Sequence, residues 1–152
     1  ADYLGLQPAL VQGWTSAPSV LLNESHADTL GNGWVAVDSS GHLDATLIGF
    51  GTQAVTQGCV DSCVASISQL GPGWKQGILG FFDVSQGYGC SPFAVPGLVG
   101  FLTEHGARFS RIAVVARGAP LHISQLVAKA AKFRRIRFFA SAEEARRWLN
   151  RL

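Results

Sequence analysis

Charge is scarce in this sequence: Asp, Glu, Lys and Arg make up 14% of its 152 residues, against 47% hydrophobic residues and a mean hydropathy of +0.22. A soluble domain usually carries about 25% charged residues, so part of the apolar surplus is expected to cover a partner or a second copy of the chain. Long apolar runs are missing as well. No stretch of roughly 18 uncharged apolar residues occurs, and no basic region precedes an apolar core at the N-terminus, so neither a membrane span nor a signal peptide is expected. Cysteine is limited to three residues, an odd number, with Cys59 and Cys63 on one helical pattern. A disulfide framework does not fit this usage, and a reducing cytoplasm is the expected compartment. Catalytic and metal-binding spacings are absent too: there is no H-E-x-x-H, no G-x-x-x-x-G-K-[ST] and no G-x-G-x-x-G. His26, His42, His105 and His122 stand singly in turns and at helix ends, so no metal and no cofactor is expected.

Basic residues are nearly absent from the first two thirds of the chain, where Lys75 is alone before Arg108. The end is rich in them, with Arg111, Arg117, Lys129, Lys132, Arg134, Arg135, Arg137, Arg146, Arg147 and Arg151 against only Glu143 and Glu144. Such asymmetry marks either an anionic partner or compensation by the acids upstream. Compensation is the simpler account, because Ile136 starts a buried pattern and Phe133 sits where it covers a helix end. Nucleic acid is accordingly not expected as a partner.

The periodicities give one α/β domain, long enough to bury a single core. Residues 1–33 are too apolar for a disordered tail and too broken by Pro8, Gly13, Pro18, Gly31 and Gly33 for a long helix, so they read as an ordered arm with one short helix and a strand at Val20 to Leu22. The domain proper is drawn at 34–152. Trp34–Asp38 and Leu43–Phe50 flank a short turn and predict an antiparallel hairpin. Val55, Cys59, Cys63, Ile67 and Leu70 line one face of a helix that Gly71-Pro72-Gly73 ends. Gly77–Phe82 is a continuous apolar run, as a strand covered on both faces requires, and a polar glycine-rich loop is expected from Asp83 to Ser91. Ser91-Pro92 opens the next helix, whose stripe is Leu98, Phe101 and Leu102.

Arg111–Ala116 predicts a strand, and Pro120–Lys132 a helix with Ile123, Leu126, Val127, Ala130 and Ala131 inward. Ile136–Phe139 predicts a further strand. Ser141 and Glu144 fit a capping box at the head of a last helix that buries Ala145, Trp148, Leu149 and Leu152. The order is ββαβαβαβα: a small mixed, mostly parallel sheet with right-handed helical crossovers.

These closing elements, and above all Glu143-Glu144-Ala145-Arg146-Arg147-Trp148-Leu149 after a phenylalanine-rich strand, resemble the end of SpoIIAA-like proteins, also called STAS/SEC14-like domains. The resemblance covers about residues 34–152. It implies a bacterial, non-catalytic regulatory or ligand-binding domain whose partner is a protein or a small apolar ligand. It further implies a switch in which a serine at a helix start is phosphorylated. Asp83 and Ser85 are similar to the strand-end Asp-x-Ser of STAS domains, and Ser91 occupies the helix start, although the usual Asp-Ser-Ser-Gly is absent. The expected partner-binding residues are therefore Asp83, Ser85, Tyr88, Cys90 and Ser91, with Ser91 the phosphorylation candidate.

Two other readings use different residues. A small enzyme would take Cys90 or Ser91 as its nucleophile, Cys90 lying where a helix N-terminus lowers a thiol pKa. An anion- or nucleic-acid-binding module would use Arg117, at the end of a strand, with Arg134, Arg135 and Arg137. Cys59 and Cys63, by contrast, read as small packing residues.

Overall fold

The computed structural model describes residues 17–151. Six strands form one sheet: β1 (Val20–Ala27), β2 (Gly31–Asp38), β3 (His42–Gly51), β4 (Ile78–Cys90), β5 (Phe109–Val115) and β6 (Ile136–Phe139). They lie side by side in chain order. β1, β2 and β3 pair antiparallel, whereas β3 to β6 are parallel neighbours. The helices are α1 (Gln53–Leu70), α2 (Val95–His105), α3 (Gly118–Ala130) and α4 (Ala142–Leu149). The α/β class and the mixed, mostly parallel sheet are those expected. The sheet starts earlier, however, because the strand expected at Val20–Leu22 runs on to Ala27 and pairs with β2. The expected helix in the arm and the expected burial of Leu152 fall outside the described residues.

Sheet order equal to chain order decides where the helices go. Each parallel crossover steps one strand in the same direction, so a right-handed connection puts α1, α2 and α3 on one face. The helix after the last strand is free of that constraint, and α4 covers the other face. Alternation along β4 records the two layers. Ile78, Phe82 and Val84 belong to the large core under α1, α2 and α3, which also holds Val35, Leu43, Phe101, Phe109 and Ile112. Leu79 and Phe81 belong to the small core under α4, with Ala113, Val115, Ala145 and Leu149.

Local sequence accounts for the element ends. Thr52 caps α1 by accepting from the Val55 N–H, and Ser141 caps α4 by accepting from the Glu144 N–H. The hairpin turn needs Gly41, whose φ of +86° suits glycine and whose added Cβ would lie 2.5 Å from the Trp74 ring. α3 is phased differently from expectation. Leu126 and Ala130 are exposed, and Pro120, Val127 and Ala128 are the buried residues. The inward face therefore runs through Pro120, Val127 and Ala128, and Leu126 lies on the solvent side.

The expected loop from Asp83 to Ser91 is also corrected. β4 continues through it to Cys90, paired with β3 as far as Gly51↔Cys90 across two register shifts. Backbone pairing overrides the low strand preference of Gly87 and Gly89. The partner on the other side stops sooner, since β5 pairs with β4 only as far as Asp83↔Val115.

Candidate functional site

The overhang of β4 past β5 borders an apolar cavity of about 150 Å³ between the sheet and the three helices. Ala45 and Leu47 of β3 and Phe82 and Val84 of β4 form its floor, Thr56, Cys59, Val60 and Cys63 of α1 one wall, and Leu98, Phe101 and Ile123 the other. Phe82, Val84, Leu98 and Ile123 remain partly exposed, so the space communicates with solvent. It lies toward the carboxyl ends of the parallel strands, where open α/β sheets place their ligands.

No Asp, Glu, Lys, Arg or His lines this cavity. All three cysteines do. Burial pushes the Cys59 thiol up to about 11, and burial together with the neighbouring Cys59 raises Cys63 further. Cys90 is raised by burial too. That corrects the lowered value expected for it: the turn after it, Pro92–Ala94, is a three-residue 3-10 helix, too short for an appreciable dipole, and desolvation wins. The thiols are thus neutral at physiological pH, which suits walls and not nucleophiles or thiolate ligands. Among the described residues no group of three His, Cys, Asp or Glu side chains is arranged to hold a metal.

The residues singled out from sequence separate. Asp83 and Ser85 alternate with the cavity-facing Phe82 and Val84 and so point away from it; Asp83 accepts hydrogen bonds from both the N–H and the hydroxyl of Ser85. Tyr88 is exposed, its ring 6.3 Å from that of Phe50. Cys90 alone of the five enters the cavity wall. Ser91 caps the short turn, accepting from the Phe93 N–H at 3.2 Å.

The arginines do not converge either. Arg117 reaches the Ala140 carbonyl. Arg135 donates to the carbonyls of Phe109 and Gly106 and lies over the Phe133 ring, whereas Arg137 lies over Trp148 on the α4 face. Arg146 pairs with Asp44 at 2.8 Å, so compensation of the basic end runs through carbonyls and rings as well as acids.

One polar cluster had no sequence signal. Glu24 and His26 of β1 both reach Ser62 of α1, the Ser62 hydroxyl donating to the Glu24 carboxylate and lying 2.7 Å from His26 Nε2. Ser62 is 1% exposed, so this cluster ties the edge strand to the helix and offers no open nucleophile.

No curated protein matches the chain. Among solved structures, an uncharacterized protein with a SpoIIAA-like fold from Shewanella loihica PV-4 is similar, with 16% identity and a TM-score of 0.55 over 91% of this chain and 99% of that one. That likeness agrees with the six-stranded sheet and its helices. The SpoIIAA-like family pattern itself matches residues 60–150, from the middle of α1 through α4. With well over half of its length matched, the chain belongs to the SpoIIAA-like family.

Proposed function

We propose that this chain is a non-catalytic binding domain that takes a small apolar molecule into the cavity between the sheet and α1, α2 and α3. The observation that carries this reading is the composition of the wall, which is uncharged throughout and holds its thiols protonated. Apolar walls that exclude charge favour apolar guests, and a cavity near 150 Å³ accepts one about the size of benzene. A protein partner is the second reading. It is supported by two exposed aromatics beside the cavity residues, Tyr88 at 65% and Phe93 at 76% exposure, which are suitable anchors for a contact surface.

The test is an amide-resolved NMR titration with toluene. Saturable shifts at Phe82, Val84 and Ile123 are expected, and Ala45→Leu, which fills the space from the β3 side, should abolish them. Unsaturable shifts, or the same titration in Ala45→Leu, would remove the support for this reading.

A further inference from the structure

Strand order equal to chain order has an electrostatic result: Glu24 and Asp28 stand at the β1 edge of the sheet, and the cations of the chain's last third gather at the opposite edge. β6 is the basic edge. Lys129, Lys132, Arg134, Arg135 and Arg137 lie in it, in the turn before it or at the end of α3, all five exposed, and no acid occurs between Glu104 and Glu143. Glu143 is held by Arg147 at 3.4 Å. The five do not converge on a point. They follow a line, which a strand laid beside β6 would meet along its length.

The backbone of this edge is open. β5 takes the carbonyls of Arg135 and Phe139, through the N–H groups of Ile112 at 2.8 Å and Ala116 at 3.0 Å, so the alternate residues Ile136 and Phe138 turn their own N–H and C=O groups outward. Among the described residues no strand lies beyond β6 and no hydrogen bond reaches those groups. The side chains of Ile136 and Phe138 pack against the large core and hold the strand in place.

Lys132 carries a further mark. α3 ends in a Schellman turn, with the Lys132 N–H donating to the Lys129 carbonyl at 3.1 Å and the Phe133 N–H to the Ala128 carbonyl at 3.0 Å. Glycine or asparagine usually takes the left-handed position of such a turn, yet here it is Lys132, at φ +56°, the only non-glycine of the described residues with a positive φ. A left-handed lysine costs stability. What it keeps is a cation beside the entry to β6.

We infer that the outer edge of β6 docks an acidic, extended segment of another protein, which joins the six-stranded sheet as a further strand. Main-chain bonds to Ile136 and Phe138 hold such a segment, and the cations select it. Charges on an edge strand also guard against unwanted pairing; guard and selector are one device here, because the same cations repel a second copy of β6 and attract a strand that carries carboxylates. A nucleic acid fits less well. Phe133, the aromatic among the cations, packs on Gly106 and under the Arg135 guanidinium and so is not free to stack on bases. A row of amide donors and acceptors, moreover, matches another peptide backbone and not a sugar-phosphate chain. The edge is separate from the cavity, which no β6 residue lines.

The test uses the whole chain and peptides of about eight residues, a common strand length: alternating Thr-Glu, alternating Thr-Ser, alternating Thr-Lys, and Thr-Glu methylated at every backbone nitrogen, which keeps the charge and removes the backbone donors. NMR titration and amide exchange read the binding. Thr-Glu should bind saturably, slow the exchange of Ile136 and Phe138, and weaken at least about tenfold between about 50 and about 500 mM salt. Thr-Ser should bind at least about tenfold more weakly, since it forgoes several exposed ion pairs, and Thr-Lys and the methylated peptide should not bind measurably.

Lys132→Gly separates docking from folding. It should melt no lower than the parent, having lost the left-handed lysine, and yet bind Thr-Glu roughly two- to fivefold more weakly, the worth of one exposed pair; Arg134→Ser should weaken binding by a similar factor. Equal affinity for Thr-Glu and Thr-Ser, methylated peptide binding as tightly as unmethylated, or exchange slowed at β1 and not at β6 would overturn the inference. Sedimentation showing a salt-sensitive oligomer with Ile136 and Phe138 already protected would overturn it too, because the edge would then belong to a second copy. So would a single-stranded oligonucleotide that binds this edge more tightly than Thr-Glu does.

Discussion

Trp148→Ala tests how α4 holds its face of the sheet. The indole is partly buried, with its centroid 5.7 Å from that of Phe139 and the guanidinium carbons of Arg111 and Arg137 at 5.5 and 5.7 Å. Roughly 100–150 Å² of ring area leaves water on folding, which at about 25 cal/mol per Å² is worth ~2.5–4 kcal/mol. The aromatic contact and the two cations each add about 0.5–1 kcal/mol. The compactness of real unfolded chains takes back a similar amount. The expected loss is about 3–4 kcal/mol.

Arg111 also donates to the Trp148 carbonyl at 2.6 Å, a bond the substitution keeps, so the loss isolates the ring. Urea denaturation followed by far-UV circular dichroism measures it, and a cycle with Arg137→Ala should return a coupling of about 0.5–1 kcal/mol. A loss below about 1 kcal/mol would mean that α4 is held by Ala145 and Leu149 alone.

Two further outcomes are expected. Unfolded thiols ionise near 9 whereas folded Cys59 holds its proton to about 11, so the folded state binds more protons in that window and stability should fall as pH rises through it; the Cys59→Ala/Cys63→Ala double variant should show a shallower fall in parallel denaturation series, and an identical slope would contradict the burial argument. Ser91→Asp should leave the melting temperature within a few degrees of the parent, because aspartate also accepts the Phe93 N–H; a large drop would show that Ser91 does more than cap.

Much of the architecture was legible in sequence because the elements concerned carry their own signals. The four-residue spacing from Val55 to Ile67, the uninterrupted apolar run ending at Phe82 and the Ser141 cap each state their structure locally. β1 does not. Its Asn23-Glu24-Ser25-His26 core looks like a surface turn, since an edge strand buries little and two of these polar groups are matched only by Ser62 on a distant helix. The end of β4 was misread for a related reason: Gln86-Gly87-Tyr88-Gly89 has loop composition, and its extended form comes from pairing with β3.

The site was legible only in fragments. The spacing of Cys59 and Cys63 marks them as packing residues, and both pack in the large core, but the space they border is made by residues drawn from five elements and has no linear signature.

The unequal ends of β4 and β5 have a consequence for how such a pocket changes. Where one strand outruns its neighbour, the volume beside the overhang is fixed by how many residues the shorter strand lacks, and each residue added to or removed from that end moves the boundary by about 3.3 Å. Capacity is then tuned in steps, by strand length at a single edge, while the side chains of the core stay as they are. In this chain the step stands between Val115, where β5 ends, and Cys90, where β4 does. Extending the pairing beyond Val115 would shorten the space available to a guest without altering a wall residue.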